Sequence, residues 1–129
     1  VGRGTAAAAA LDWTQPVGTV GGVDPTEAEV ILAAECIWLA ELIAPFIATV
    51  MALLRGPHRP WCLLCFRERA SEGSEVFVQM AAVVQGFADA GCKLTRLSDH
   101  RVSRERDKAA REELRQKPVV LYRVELAGV

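Results

Sequence analysis

A surplus of charge of either sign is missing from this sequence: 15 Lys and Arg stand against 16 Asp and Glu, a formal net charge of −1. That balance argues against a general nucleic-acid binder, which would need a basic excess to meet phosphates. Histidine is scarce too. His58 and His100 are far apart and lack ligand spacing, so neither is given a metal or catalytic role. There is no Gly-x-Ser-x-Gly elbow, no Walker loop, no His-Glu-x-x-His and no internal repeat. Classical hydrolase, nucleotide-hydrolysing and zinc-protease readings therefore have no support. The four cysteines (Cys36, Cys62, Cys65, Cys92) sit mostly in apolar runs and do not form a disulfide framework. With no secretory signal at the N-terminus, the expectation is reduced thiols and a cytoplasmic location.

What the sequence does have is apolar content. Half of its 129 residues are hydrophobic, enough for one domain with a core of its own. The run from Val30 to Leu54 has the length of a membrane span, but it contains Glu35, Glu41 and Pro45. A carboxylate at mid-bilayer costs about 2.5–3.5 kcal/mol on insertion scales, so no membrane role is assigned.

Residues 1–25 pass through five consecutive alanines to Leu11-Asp12-Trp13 and a Gly- and Pro-containing loop, and are expected to be weakly ordered. Gly2-x-Gly4-x-x-Ala7 formally fits a dinucleotide fingerprint with Asp24 downstream, but no strand precedes either, and the match is treated as chance. From Val30, an aliphatic run predicts a strand buried on both faces and ending near Ile37 or Trp38. Phe46, Ile47, Val50, Met51, Leu53 and Leu54 recur at helical spacing, with Pro45 in the first turn and Gly56-Pro57 beyond the end. Pro60–Phe66 reads as a second buried strand, followed by Arg67-Glu68-Arg69 where open α/β sheets place ligands.

A second helix is predicted from a cap at Ser71 or Ser74, with Phe77, Met80, Val83, Val84 and Phe87 on its apolar face and Gly91 at its end. Cys92–Leu97 and Val119–Leu126 read as two further strands, the latter with Val120, Tyr122, Val124 and Leu126 on one face and Arg123 and Glu125 on the other. The stretch from Asp99 to Lys117, charged with both signs, reads as a solvated excursion that is partly helical around Arg104 to Arg115.

Cys62-Leu63-Leu64-Cys65 has the spacing of a redox pair, which needs its first thiol at a helix N-terminus. Inside a strand, residues three apart point to opposite faces, so core packing is the reading adopted and no metal site is assigned. Two features stay open. Trp13, beside Asp12, is placed either to stack on a flat heterocycle or to pack on the core. Glu35, at the end of an apolar strand, must reach a cleft, a donor or water if it is not to be buried unpaired.

At these spacings Leu11-Asp12-Trp13, Val30-Ile31-Leu32-Ala33-Ala34-Glu35-Cys36-Ile37-Trp38-Leu39 and Cys62-Leu63-Leu64-Cys65-Phe66-Arg67-Glu68-Arg69 resemble the C-terminal half of seven-strand S-adenosylmethionine-dependent methyltransferases. The similarity is to the methyltransferase-like branch that contains protein-lysine methyltransferases, and it runs from about Leu11 to about Leu126. The resemblance implies an α/β fold: a partial Rossmann-like sheet of the C-terminal strands, the last two antiparallel, with flanking helices. It also implies S-adenosylmethionine as cofactor and a protein lysine as substrate. Trp13 would stand in the family's Leu-x-Trp motif against the adenine with Asp12 beside it, and Ala34 would line the cofactor site through its backbone. Glu35 and Trp38 would take the acidic and aromatic places of the Asp/Glu-x-x-Tyr/Phe motif that forms the acceptor's channel. Glu in place of the commoner Asp lengthens that arm, and Trp stands where Tyr or Phe is usual.

The family's glycine-rich turn after the first strand and its acid after the second are absent from the sequence. The expectation is one truncated domain over residues 1–129 that binds cofactor poorly, is inactive alone and exposes a sheet edge open to self-association. A non-catalytic interaction module pairing through that edge is the alternative.

Overall fold

The computed structural model describes residues 2–67, 75–97, 108, 109, 112 and 119–128. Two strands of the mixed sheet run in parallel: β1 (Val30–Ala34) and β2 (Trp61–Arg67). Between them lies helix α1 (Ile43–Leu54), entered through a 3-10 turn at Ala40–Leu42. Helix α2 (Met80–Asp89) leads through Gly91, in the left-handed region at φ +94°, into β3 (Cys92–Leu97). The last strand, β4 (Val119–Leu126), inserts between β2 and β3, antiparallel to both, so the order is β1-β2-β4-β3. The architecture is thus a partial Rossmann-like α/β sheet with its last two strands antiparallel, as expected.

Strand alternation decides which side chains meet the helices. Ala33, Cys62, Leu64, Phe66, Val124 and Cys92 lie on one face and are buried in a single cluster with Phe46, Val50, Met51 and Leu54 of α1 and Val83 and Phe87 of α2. The two helices touch each other as well. Gly86 of α2 comes so close to α1 that a Cβ built on it would lie 2.5 Å from Cδ1 of Ile47. Pro45 is the third residue of α1, where its missing N–H breaks no helical bond.

Three expectations need correction. The run from Val30 ends as a strand at Ala34, because Glu35 adopts φ +53° and turns the chain out of the sheet. β1 is not buried on both faces: Val30 is 45% and Leu32 73% exposed, since β1 is an edge strand among the described residues and the helices cover only the other face. Phe77 belongs to no helix. It pairs with Leu39 in an isolated antiparallel bridge, and α2 starts only at Met80, with Gln79 rather than a serine at its N-cap. Ser71, Ser74 and most of the charged stretch from Asp99 to Lys117 lie outside the described residues.

The segment before β1 is tied to α1 at two places. Trp13 sits edge-on to Phe46, with ring centroids 5.0 Å apart, and its carbonyl accepts a hydrogen bond from the buried Thr49 hydroxyl at 3.5 Å. Further along, Asp24 caps a 3-10 turn at Pro25–Glu27 by accepting from the Thr26 amide and hydroxyl. That turn rests on Gly56 just beyond α1, where a Cβ would fall 2.2 Å from the Thr26 carbonyl oxygen. Glu27 meets His58 at 2.9 Å on the same side.

Candidate functional site

In an open sheet with parallel strands, ligands bind beyond the carboxyl ends of those strands. Here those ends are Ala34 of β1 and Arg67 of β2, which run side by side in register. Ala34 is exposed, and so is Glu35 directly after it. A left-handed backbone costs a non-glycine residue about 1–2 kcal/mol and persists only when its surroundings hold it. For Glu35 the holding contact is its own amide, which donates to the Cys65 carbonyl at 3.0 Å and fastens the turn to β2. Buried Ile37 anchors the chain again two residues on.

Trp38 follows and is 51% exposed, although its backbone is fixed. The Val78 amide donates to the Trp38 carbonyl at 3.2 Å, and the Ala40 amide donates to the Val76 carbonyl at 2.8 Å. These bonds and the Leu39–Phe77 bridge lay residues 38–40 against 76–78 as a short ribbon. In this ribbon Trp38 stands opposite Val78 and Leu39 opposite Phe77, so alternation turns Phe77 to the other face from Trp38; Val76 and Phe77 are themselves exposed. Sequence reasoning missed the ribbon by assigning Phe77 to a helix. Val76-Phe77-Val78 is an unbroken apolar run with no polar alternation, so no local signal marked it as extended.

Asp12 and Trp13 form a second group, against α1 rather than at the end of β1. Trp13 is half-buried and packs against the core, edge-on to Phe46. Part of the indole stays accessible. The Asp12 carboxylate accepts from the Thr14 hydroxyl at 2.7 Å and from the Thr14 amide at 2.9 Å. These two bonds, the side-chain one first, hold its acid below the usual carboxylate range.

The cysteine pair behaves as strand geometry requires. Cys62 is wholly buried on the core face, Cys65 lies on the opposite face, and all four cysteines are free. Burial pushes the Cys62 thiol up to about 12, far from the depressed value a redox nucleophile needs.

The residues fit one side of an S-adenosylmethionine site and not the other. An exposed carboxylate and an aromatic wall beyond a parallel strand suit an acceptor channel. A cradle for the methionine part would need a glycine-rich strand-to-helix turn. Among the described residues the glycines with positive φ are Gly21, Gly22, Gly91 and Gly128, and none lies in such a turn.

The model of the lysine methyltransferase family matches residues 3–83, more than half of the chain, covering β1, α1, β2 and the first turn of α2. Comparison with curated proteins gave no match, and neither did comparison with solved structures. The chain belongs to the lysine methyltransferase family.

Proposed function

From membership in that family, we propose that this chain forms the acceptor side of a site for methyl transfer from S-adenosylmethionine to the amine of a protein lysine. The observation that carries the reading is the exposed Glu35, held in a strained left-handed turn directly beyond a parallel strand and followed by the half-exposed Trp38. Strain retained at a ligand-binding end of a sheet is characteristic of a functional position. Glu35 accepts a hydrogen bond from the incoming amine and fixes its direction. Trp38 walls the aliphatic stem and favours positive charge developing on the nitrogen. Ala34 faces the cofactor through its backbone, and Trp13 and Asp12 flank the cofactor's heterocycle. A reducing, cytoplasmic setting suits the four free thiols.

Because the methionine cradle does not fit, this chain alone is expected to bind the cofactor weakly and to transfer no methyl groups. Calorimetric titration with S-adenosylmethionine should give no micromolar binding, and micromolar binding would overturn the account of the donor side. With a donor half from another family member fused ahead of it, lysine methylation should appear. Glu35→Gln should then lower kcat about 10²-fold, the order of loss expected for a misplaced nucleophile. Transfer untouched by both Glu35→Gln and Trp38→Ala would remove these residues from the site.

A further inference from the structure

At the opposite end of the sheet from Glu35 lies a cavity of about 460 Å³. It opens where β2 and β3 begin and β4 ends, and three cationic side chains reach it from separate elements. Arg59 comes from the α1–β2 turn, Lys93 from β3 and Arg123 from β4. Their charges are not equally engaged. Arg123 stacks over the Trp61 ring, its guanidinium carbon 4.9 Å from the centroid, and donates through Nε and Nη2 to Glu125 at 3.1 Å. Arg59 and Lys93 have no carboxylate partner among the described residues, and both are exposed. Arg59 also holds a left-handed backbone at φ +48°, its amide bonded to the Gly56 carbonyl at 3.1 Å. Leu54, Trp61 and Leu126 supply an apolar wall beside these cations.

We propose that this cavity binds a small organic phosphate, with the phosphate between Arg59 and Lys93 and the carbon skeleton against Trp61 and Leu126. A phosphate monoester carries about −1.5 to −2 charges at neutral pH, which matches two unneutralised cations better than a single carboxylate does. The volume falls in the range of about 300–1,000 Å³ typical of small-molecule sites. Glu125 keeps Arg123 oriented and stacked, so the indole is held rigid for a ligand. The cavity shares no residue with the proposed methyl-transfer site, so the two stand or fall separately.

The test is nuclear magnetic resonance titration of the chain with phenyl phosphate, inorganic phosphate and phenol, following the three tryptophan indole N–H signals. Phenyl phosphate should move the Trp61 signal and bind more tightly than inorganic phosphate, while phenol should leave it in place. The double variant Arg59→Asn, Lys93→Gln should weaken phenyl phosphate about tenfold or more, as expected for removing two near charges at a solvated site. Both positions are exposed and Asn tolerates the left-handed backbone, so the variant keeps the fold. Binding that shifts Trp13 or Trp38 instead of Trp61, equal binding by the double variant, or no binding at millimolar phenyl phosphate would each overturn the proposal.

Discussion

Cys62 shows what a single side chain contributes on each side of neutrality. Its thiol has no accessible surface, and desolvation, followed by the neighbouring Cys36 and Cys92 thiols, raises it from 9.0 to about 12. In the folded chain the proton stays on while the unfolded chain has already lost it, so the unfolded state binds fewer protons over that interval. Stability is thus constant with respect to this group below about 9 and falls as pH rises from about 9 through about 12, by at most about 1.4 kcal/mol per pH unit. Urea midpoints measured across this range should decline more steeply for the native chain than for Cys62→Ala, and parallel declines would deny the group its role. The same burial should make Cys62 the slowest thiol to alkylate at pH 8, well behind half-buried Cys36 and Cys65. Cys92 is shielded too, its thiol raised by burial and 3.2 Å from the Met51 sulfur. At exposed Glu35 the backbone carries a constraint of its own, through the amide's bond to the Cys65 carbonyl.

Among the elements, the Pro25–Glu27 turn depends on a residue with no side chain. Gly56→Ala would drive a Cβ into the Thr26 carbonyl, and backbone cannot rotate away as a flexible side chain can. The substitution should cost about 1–3 kcal/mol, the range for overpacking, and should loosen the segment carrying Asp24 and Glu27. A urea midpoint equal to that of the native chain would show that this segment yields without cost. The physical reason this contact escaped the sequence is distance along the chain, and the same reason sorts the other elements. β3, β4 and α1 were legible because local patterns decide them: alternation over Val119–Leu126, helical spacing around Val50, and Gly91 as punctuation. The end of β1 and the start of α2 were not. One is set by Glu35 bonding to Cys65 and the other by Val76–Val78 pairing with Trp38–Ala40, and nothing local announces either. Of the proposed site residues, Glu35 and Trp38 could be named as candidates from their motif, whereas the ribbon that fixes the Trp38 backbone is made only by that pairing. The cationic cavity was hidden for the same cause, since Arg59, Lys93 and Arg123 meet only in the folded sheet.

At the scale of the whole molecule, the sheet is finished on one face and open on the other. β1 lies at its edge among the described residues, with Leu32 and Val30 exposed, and an exposed apolar edge strand is a template for another chain. Concentration-dependent self-association should therefore appear in sedimentation velocity, and Leu32→Lys should shift the distribution to monomer. A native chain that stays monomeric at high concentration would rule this edge out as an association surface. The strand order has a further consequence. β3 reaches the sheet only through β4, which follows it in the chain yet lies between it and β2. During synthesis, at about 5–20 residues per second, β3 is made ahead of the strand that must hold it. Until β4 has emerged, β2 keeps one edge unpaired and β3 has no strand to join, an interval in which the chain is open to misassembly.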